Sequence, residues 1–429
     1  MLQDLVSPLG GLVNDVSRLP VDPSNPQLAV FSAALGDLSA VLVDQCGPEC
    51  LGSLDGAGTG LDAERAEIVA VAESLERYAN CVYDQRQFRW ATAEELEALG
   101  EDAVDLDSLP RCSPTELADP ECPVVRPDRT ARIRWIRGLN MRTGKPAWVP
   151  AALVYIHFPS EDAERITNPI STGSAAHPDP AVAVCGALCE VIERDAISLT
   201  WLQQLALPQI EIDVAGPHLR RFLDAVADRE MTVRLFDATT DVGIPTVYGV
   251  SIAPDHPRLH TVVSCATALD PQAAAAKAIC ELVSVRIALQ DDEPSAEDVE
   301  SFTGVSDGAT YMCVPERASA FDFLLDSPAR RRLSEMPALS TGDSTADLRL
   351  VCSRLAGSGM DAYIVDLTTD EALRVGMTVV RAVVPGLQPL TFHYRARFLG
   401  HPRLYEAPAR MGYPVRGEAE LNAWPQPFA

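Results

Sequence analysis

Two short segments of this chain repeat the pattern Glu-x-x-Glu-Arg, at residues 73–77 and 190–194. On a helix, positions i, i+3 and i+4 are neighbours on one face, so each copy would place two carboxylates beside a guanidinium. A single copy is typical of a solvated, salt-bridged helix face. The residues concerned are Glu73, Glu76 and Arg77 in the first copy and Glu190, Glu193 and Arg194 in the second.

Both copies lie in helical patterns rich in apolar residues, which favours a binding site over a solvated face. Like carboxylates repel one another unless a cation holds them together, and magnesium prefers hard oxygen ligands. Arginines beside such carboxylates are suited to phosphate oxygens. Four converging carboxylates with two arginines therefore indicate a site for Mg²⁺ and a polyphosphate.

The two copies belong to a longer internal repeat that a third segment shares. Each repeat has a starting aspartate, alanine four and eight residues on, and glutamate eleven residues on. The last three positions lie within about 40° of one another on a helical wheel, so small alanines lead along one face to a glutamate. Aspartate is a favoured helix N-cap. We therefore predict helices at residues 62–81, 179–202 and 270–290. The starting aspartates are Asp62, Asp179 and Asp270; the third copy keeps Glu281 and a displaced Arg286.

Small residues precede the first two predicted helices. Gly58 and Gly60 lie directly before the first, and Thr172 lies in a similar segment before the second. Their backbone amides, with the helix N-terminus, could meet phosphate oxygens, although such a segment alone is more often a plain turn. No Gly-x-x-x-x-Gly-Lys-Ser/Thr sequence occurs, so a nucleotide site of this chain would be built without a P-loop.

Composition argues against several classes of protein. The net charge is −26 at pH 7 and no basic run occurs, so DNA and RNA are not expected partners. No apolar run is long enough to span a membrane. The eleven cysteines are odd in number and scattered, and no signal peptide is recognised, so we expect a reducing cytoplasm.

The pattern of elements is mixed α/β without regular β-α-β alternation, so we predict an α+β fold rather than a doubly wound sheet. Strands are expected at residues 132–139 and 148–158 and within 232–252. Residues 293–343 are charged and predicted to be irregular. Residues 92–130 are acidic and proline-rich, which is typical of an excursion at the surface.

At these motifs the chain resembles the YcaO family of ATP-dependent enzymes. The segments that carry the resemblance are residues 58–78, 171–196, 237–245 and 278–286, which follow the family's order. The resemblance implies a YcaO-type fold in which repeated acidic helices pack on mixed, largely antiparallel sheets. It also implies an N-terminal segment (residues 1–49) and a catalytic domain (50–429) that ends in a proline-rich tail (421–429).

The resemblance further implies ATP and Mg²⁺ as cofactors. The implied magnesium ligands are Glu73, Glu76, Glu190 and Glu193. The residues implied to contact the nucleotide or to order those carboxylates are Arg77, Arg194, Glu281 and Arg286, with Gly58, Gly60 and Thr172 in the loops. The chain departs from the family pattern at Thr59, Val69, Thr172 and Ser284, and each departure removes a polar group that other members place at the site.

The last residues resemble the ends of azoline-forming YcaO cyclodehydratases, which finish in alternating prolines. Pro425 and Pro427 match that spacing, and Ala429 replaces the third proline. Alternating prolines stiffen a segment into an extended rod, whereas by composition alone a frayed terminus is also expected. By this resemblance we predict that these three residues form part of the catalytic site.

The resemblance therefore implies ATP-dependent cyclodehydration of Cys, Ser or Thr residues in a ribosomally made precursor peptide, giving thiazolines or oxazolines by phosphorylation of the backbone amide oxygen. We recognise no additional leader-binding domain, so we expect a separate partner protein that delivers the peptide, and we expect a homodimer. Two alternatives remain open. One is a YcaO enzyme that forms thioamides or amidines, and the other is a catalytically silent scaffold of the same fold.

Overall fold

The structure is a computed structural model, and it describes residues 2–39, 42, 52–227, 229–293, 295 and 298–429. The chain divides into two compact units. Unit 1 consists of Met1–Leu19, Ala29–Val191 and Gly342–Leu387, and unit 2 consists of Pro20–Leu28, Ile192–Thr341 and Gln388–Ala429. The boundary predicted between residues 49 and 50 lies outside the described residues.

The elements are numbered in chain order. The strands are β1 (Asp15–Arg18), β2 (Ala29–Ala34), β3 (Gly56–Gly60), β4 (Arg89–Ala91), β5 (Ile133–Asn140), β6 (Lys145–Pro150), β7 (Ser174–His177), β8 (Gln209–Glu211), β9 (Thr232–Asp237), β10 (Thr246–Ile252), β11 (Thr261–Thr267), β12 (Arg330–Arg332), β13 (Tyr363–Asp366) and β14 (Thr378–Val383). The α-helices are α1 (Ala63–Ala79), α2 (Ala93–Ala98), α3 (Pro114–Leu117), α4 (Pro180–Gln203), α5 (Pro217–Ala227), α6 (Pro271–Ala288), α7 (Val305–Met312), α8 (Asp322–Leu325), α9 (Ser344–Gly357), α10 (Asp370–Arg374) and α11 (Arg403–Arg410).

The three helices predicted from the repeat are confirmed as α1, α4 and α6. The side chains of Asp62, Asp179 and Asp270 each accept a hydrogen bond from an amide of the first helical turn, at 2.8 to 3.0 Å. These caps satisfy donors that have no partner within the helix, so each aspartate marks where its helix begins. Among the described residues, no helix is long and apolar enough to cross a membrane.

In unit 1, α1 lies against an antiparallel sheet of β1, β2 and β3. The approach is close because small residues face each other. A Cβ atom at Gly58 would lie 1.9 Å from the carbonyl oxygen of Ala66, and one at Gly56 would lie 2.2 Å from that of Ala70. Ser74 joins the two layers by accepting a hydrogen bond from the Gly56 amide at 2.8 Å. The alanine face of the repeat is therefore the packing face of α1.

A second sheet of unit 1 has the order β4-β5-β13-β14-β7, with β6 paired to β5, and all of these pairs are antiparallel. In this sheet Arg381 of β14 lies opposite Ser174 of β7. Residues 92–130, predicted as a surface excursion, carry exposed acidic side chains and also contribute Leu96 and Leu106 to the buried core of this unit.

Unit 2 contains a sheet of order β11-β10-β9-β8-β12, in which only the β8–β12 pair is parallel. Helix α6 packs on β10 and β11. The hydroxyl of Ser264 in β11 donates a hydrogen bond to the carbonyl oxygen of Ala278 in α6 at 2.8 Å, which is possible because the helix is alanine-rich on this face. The predicted α+β class, with helices packed on mixed and largely antiparallel sheets, is confirmed.

One predicted strand, residues 148–158, is wrong beyond Pro150. The chain turns at Ala151–Leu153 and then runs irregularly. Tyr155 and Phe158 pack against Tyr83, with ring centroids 5.0 and 5.5 Å apart. The apolar run is therefore explained by burial in an aromatic cluster, and periodicity does not distinguish such a run from a buried strand.

Two further local predictions are corrected. The glycine segment Gly56–Gly60 is a strand rather than a turn, and Gly56 and Gly58 allow it to pack closely on α1. Residues 293–343, predicted to be irregular, include α7, α8 and β12. These elements are short, so their periodic signal is weak.

Candidate functional site

Three of the four motif carboxylates belong to unit 1: Glu73 and Glu76 on α1, and Glu190 on α4. Glu73 accepts a hydrogen bond from the Ala57 amide at 2.7 Å, and Glu190 accepts one from the Gly173 amide at 3.0 Å. In both copies, the glutamate eleven residues after the starting aspartate accepts a hydrogen bond from a backbone amide in the segment that precedes its own helix. The first two copies of the repeat therefore share a local geometry.

Arg77 orders the first of these carboxylates. Its Nη2 donates to Glu73 at 2.8 Å, and its Nη1 donates to the carbonyl oxygen of Asp55 at 2.6 Å. Both partners of the ion pair are about one-third exposed. The guanidinium is thus fixed in place while the pair still faces solvent, as expected of groups that meet a ligand.

Glu76 is the most strongly perturbed carboxyl of this cluster. Removal from water, and then the negative charges of Glu190 and Glu73, raise its pKa to about 8, while Arg77 and Arg381 act in the opposite direction. Glu76 therefore holds a proton near neutral pH when no cation is bound. This mutual effect also shows that three carboxylates and two guanidiniums share one electrostatic environment.

Arg381, in β14, completes this cluster and was missed in the sequence. It is 5% exposed and donates hydrogen bonds to Ser174 Oγ at 2.9 Å and to the carbonyl oxygen of Ile170 at 2.7 Å. Burial lowers its pKa to about 10, against the opposing effect of Glu190 and Glu76. The signal in the sequence was an arginine inside the apolar strand Thr-Val-Val-Arg-Ala-Val, because a charge at a core position requires a partner.

The residues of this cluster fit a magnesium ion with a polyphosphate. Its carboxylates supply hard oxygen ligands, and the raised pKa of Glu76 reflects crowded negative charge that a divalent cation would offset. The guanidiniums of Arg77 and Arg381 supply donors for phosphate oxygens, and Nε of Arg381 has no hydrogen-bond partner among the described residues.

The fourth carboxylate, Glu193, lies one turn further along α4 and belongs to unit 2. It is 1% exposed and accepts hydrogen bonds from the Thr267 amide at 2.9 Å and from Arg194 at 2.8 Å. Lys277 of α6, which the sequence analysis missed, lies 3.6 Å from Glu193 and 3.3 Å from Glu281. Burial raises the pKa of Glu281 to about 7, and Lys277 opposes this effect. Glu193 is therefore held by two hydrogen bonds and one ion pair.

Arg286 makes its contacts elsewhere in unit 2. It is 2% exposed, and it donates to the carbonyl oxygen of Leu259 at 2.9 Å and to Asn25 Oδ1 at 3.2 Å. Burial lowers its pKa to about 10. These bonds hold the last turn of α6 in place, and the role predicted for Arg286 toward the nucleotide stays a prediction.

The predicted loop residues have different surroundings. Gly58 and Gly60 lie in β3, and Gly58 packs closely on α1. Thr172 precedes Gly173, whose φ of +86° favours glycine, and a Cβ atom at Gly173 would lie 2.5 Å from the carbonyl oxygen of Ala382. The segment before β7 is therefore shaped to present the Gly173 amide to Glu190.

Asp195, directly after the second motif, is a buried partner that the sequence analysis did not single out. It accepts two hydrogen bonds from Arg403 of α11, at 2.7 and 2.6 Å, and one from the Gln388 amide at 2.8 Å. A bidentate carboxylate–guanidinium pair restricts orientation, so it holds α4 against α11 in unit 2.

The proline-rich tail, residues 421–429, packs within unit 2. Pro425, Pro427 and Phe428 are buried, and Ala429 is exposed. The ring of Phe428 lies 5.3 Å from that of Tyr248 in β10, in an edge-to-face arrangement. The tail is therefore a packed segment rather than a frayed one.

Backbone groups of the tail are also fixed. Trp201 Nε1 of α4 donates to the carbonyl oxygen of Trp424 at 3.2 Å. Gly308 of α7 lies so close that a Cβ atom there would be 2.0 Å from the carbonyl oxygen of Gln426. A side chain at position 308 is therefore incompatible with the observed path of the tail.

Comparison with known proteins agrees with these motifs. The sequence model of the YcaO family, described as the ATP- and Mg²⁺-binding YcaO cyclodehydratase, matches residues 57–388. An uncharacterized protein in the tfuA 3′ region of Rhizobium leguminosarum bv. trifolii is 29% identical over 347 residues, covering 77% of this chain and 76% of the relative.

Solved structures share the fold. A heterocyclase in complex with substrate and cofactor has a TM-score of 0.81 and 23% identity, covering 100% of this chain and 56% of its own. YcaO from Methanopyrus kandleri, bound with AMPPCP and Mg²⁺, has a TM-score of 0.62 and 19% identity, covering 88% and 86%. The E. coli microcin synthetase McbBCD complex has a TM-score of 0.55 and 15% identity, covering 86% of each chain.

These similarities confirm the predicted YcaO-type fold, and this chain spans about half the length of the heterocyclase chain. The family model matches most of the chain, from Ala57 in β3 to Gln388, shortly after β14. This chain belongs to the YcaO family, and ATP and Mg²⁺ are its cofactors.

Proposed function

We propose that this chain catalyses ATP-dependent cyclodehydration of Cys, Ser or Thr residues in a ribosomally made precursor peptide, forming thiazolines or oxazolines. Membership of the family supports the use of ATP and Mg²⁺. The observation that carries the finer proposal is the packed tail, in which Pro425 and Pro427 are buried and the last residue stays exposed. Stiff, buried prolines restrict the position of the residue that follows them, as a positioned reacting group requires.

The tail is connected to the acidic residues of unit 2 through two strands. Phe428 packs on Tyr248 of β10, whose cross-strand neighbour in β11 is Cys265. Two residues further along β11, the Thr267 amide binds Glu193. Each contact is direct, so displacement of the tail is expected to disturb the strand that holds Glu193.

The chemistry explains why such a reaction needs ATP. After the side-chain nucleophile adds to the preceding carbonyl carbon, the amide oxygen is a poor leaving group. ATP supplies the phosphoryl group with which that oxygen departs as phosphate, and Mg²⁺ offsets the negative charge on the phosphates. The oxygen lost on ring closure therefore ends in phosphate, and ATP ends as ADP.

Residue roles are proposed from the contacts described above. Glu73 and Glu190, held by backbone amides, and Glu76, which loses its proton when the cation binds, serve as magnesium ligands in unit 1. Glu193 serves as a further ligand and is balanced by Arg194 and Lys277. The remaining proposed nucleotide residues are Gly58, Gly60, Arg77, Thr172, Arg194, Glu281 and Arg286, and the tail residues Pro425, Pro427 and Ala429 act near the reacting peptide.

We further propose that the peptide is delivered by a separate leader-binding protein and that the chain acts as a homodimer. Support for partner proteins comes from the similar E. coli microcin synthetase, which is a complex of McbB, McbC and McbD and has also been solved with pro-MccB17 bound. Size measurement by light scattering tests the homodimer, and a monomer in solution would contradict it.

Mass spectrometry of a co-expressed precursor peptide tests the reaction. We expect a loss of about 18 Da for each azoline ring, together with hydrolysis of ATP. A gain of about 16 Da per site would instead indicate a thioamide-forming enzyme. An unmodified peptide with no hydrolysis of ATP, in the presence of its partner, would favour a silent scaffold.

The tail provides the sharper test within this experiment. Removal of residues 425–429 deletes Phe428 and both buried prolines, and we expect it to abolish ring formation while Mg²⁺–nucleotide binding in unit 1 persists. Unchanged turnover of the shortened protein would contradict the cyclodehydratase proposal.

A further inference from the structure

Arg381 is a buried cation, and one of its three nitrogens makes no hydrogen bond with the described residues. Its two terminal nitrogens are engaged by Ser174 and Ile170, whereas Nε has no hydrogen-bond partner among the described residues although the side chain is 5% exposed. A buried donor without a partner has lost its hydrogen bonds to water without replacement, so such groups are rare unless a ligand satisfies them.

The two engaged nitrogens fix the segment that serves Glu190. Arg381 binds Ile170 and Ser174 at either end of this segment, and the next residue, Ala382, donates its amide to the carbonyl oxygen of Gly173 at 2.6 Å. The amide of Gly173 in turn binds Glu190. Residues 381–382 therefore clamp the segment that orients one motif carboxylate.

A second connection leads from Arg381 to the first acidic helix. The hydroxyl of Ser174 donates to Asn80 Oδ1 at 2.8 Å, and Asn80 Nδ2 donates to the carbonyl oxygen of Glu76 at 2.8 Å. Both Ser174 and Asn80 are buried, so this path is shielded from competing water. One guanidinium thus joins the two helices that carry the unit 1 carboxylates.

We propose that Arg381 binds the phosphate chain of the nucleotide through Nε while its terminal nitrogens hold the segment 170–174 in place for Glu190. This inference rests on the proposed placement of Mg²⁺ and ATP at Glu73, Glu76 and Glu190. A guanidinium suits the task because its donors point in several directions in one plane, whereas an ammonium on a flexible stem acts as a point charge.

The test compares two ligands that differ in their phosphate chain. Binding of Mg²⁺·AMPPCP and of AMP is measured by calorimetry for the wild type and for Arg381→Gln. We expect Arg381→Gln to weaken Mg²⁺·AMPPCP about 10-fold, equivalent to one lost charge-assisted hydrogen bond, and to change AMP binding less than about 2-fold. Arg374→Gln, which alters a 74%-exposed arginine of α10 in the same unit, serves as the matched control and should change neither.

The selectivity of the loss separates phosphate binding from a purely structural role. If Arg381 only maintained the fold, the affinities for both ligands would fall together, and that result would overturn the inference, as would wild-type affinity for Mg²⁺·AMPPCP. If Arg381→Gln fails to fold, Arg381→Lys replaces it, since lysine keeps the charge but carries its donors on one nitrogen, which cannot occupy the positions of three guanidinium nitrogens. A selective loss of about 3-fold or more for Mg²⁺·AMPPCP is then expected, and equal binding by Arg381→Lys and wild type would contradict the inference.

The binding test uses no peptide. A wild-type protein that binds Mg²⁺·AMPPCP but forms no azoline would contradict the proposed reaction and leave the role of Arg381 standing. If the wild type forms azolines while Arg381→Gln binds Mg²⁺·AMPPCP as tightly as the wild type, the proposed reaction stands and the proposed role of Arg381 is contradicted.

Discussion

The acidic residues of unit 1 and those of unit 2 come from the same repeat, yet they are balanced in different ways. In unit 1, three carboxylates share two guanidiniums, and the pKa of Glu76 rises to about 8. In unit 2, Glu193 is almost fully buried and is held by the Thr267 amide, Arg194 and Lys277. The unit 1 cluster thus has one carboxyl group more than its two guanidiniums can balance, and that group keeps its proton, whereas Glu193 is hydrogen-bonded and ion-paired by its neighbours.

This difference shows how one repeated helix motif can take two tasks. Crowded carboxylates with a retained proton are prepared to exchange that proton for a cation, since a divalent ion relieves their repulsion. A carboxylate with two hydrogen bonds and an ion pair instead behaves as a fixed anion that organises its neighbours. We infer that the unit 1 carboxylates supply affinity for Mg²⁺, whereas Glu193 organises its neighbours within unit 2.

The largest effect is expected from Glu190→Gln in unit 1. This change removes the charge of one proposed magnesium ligand while its side chain can still accept the Gly173 hydrogen bond, so the fold should persist. We expect ATP hydrolysis in the presence of peptide to fall about 100-fold. Glu64→Gln, at an exposed position of α1, is the control. Equal hydrolysis by Glu190→Gln and wild type would remove the basis for a metal site in unit 1.

A smaller effect is expected from Gly308→Ala in unit 2. The added Cβ atom would collide with the carbonyl oxygen of Gln426, so the tail must move away from its observed position. We expect azoline formation to fall about 10-fold or more, a loss of positioning, with Mg²⁺·AMPPCP binding unchanged in calorimetry. In the control Gly357→Ala, the added atom meets nothing within 4 Å. Normal ring formation by Gly308→Ala would show that the tail position is not needed.

The raised pKa of Glu76 predicts a pH-dependent stability. The folded protein holds this proton up to about pH 8, whereas the unfolded chain releases it near pH 4.5, so without Mg²⁺ stability should decrease as the pH rises between these values. Glu76→Gln cannot titrate and should be more stable than wild type at pH 8.5, on the order of 1 kcal/mol in urea unfolding with EDTA. Magnesium should stabilise the wild type and have little effect on Glu76→Gln. If the free energy of unfolding of the wild type did not depend on pH in this way, negative charge would not be crowded around Glu76.

The smallest effect is expected from Lys277→Gln in unit 2. Lys277 is 51% exposed, so its ion pairs with Glu193 and Glu281 are screened and contribute less than about 1 kcal/mol. Because Lys277 opposes the rise in the pKa of Glu281, its loss should move that pKa upward from about 7. The titration of Glu281 followed by NMR would detect the change, with Lys145→Gln as an exposed control. An unchanged titration would show that Lys277 does not balance this cluster.

The sequence predicted much of the local structure of both clusters. The starting aspartates and the spacing of alanine and glutamate predicted three helices, because capping and small-residue packing are local properties with a fixed helical period. The same locality explains the errors. Gly56–Gly60 was interpreted as a loop because glycine is common in turns, but here it allows β3 to approach α1. The run at residues 151–158 is apolar because it is buried, and burial does not require a strand.

The partners of the motif residues were decided by contacts distant in sequence. Arg381 and Ser174 are brought together by strand pairing across 207 positions, and Lys277 reaches Glu193 from a different helix. Nothing in the spacing of residues indicates such pairs, because sheet register and helix packing arise from the whole core.

The repeat by itself determined the helices and the candidate carboxylates, because each depends on residues within about three helical turns. Tertiary structure alone decided how those carboxylates are balanced. It placed the buried Arg381 where its charge acts on Glu76 and Glu190. It also brought hydrogen-bond donors to Glu193 and packed Phe428 against Tyr248. Charge and burial depend on all neighbours in space, and a repeated sequence can therefore carry two electrostatic environments.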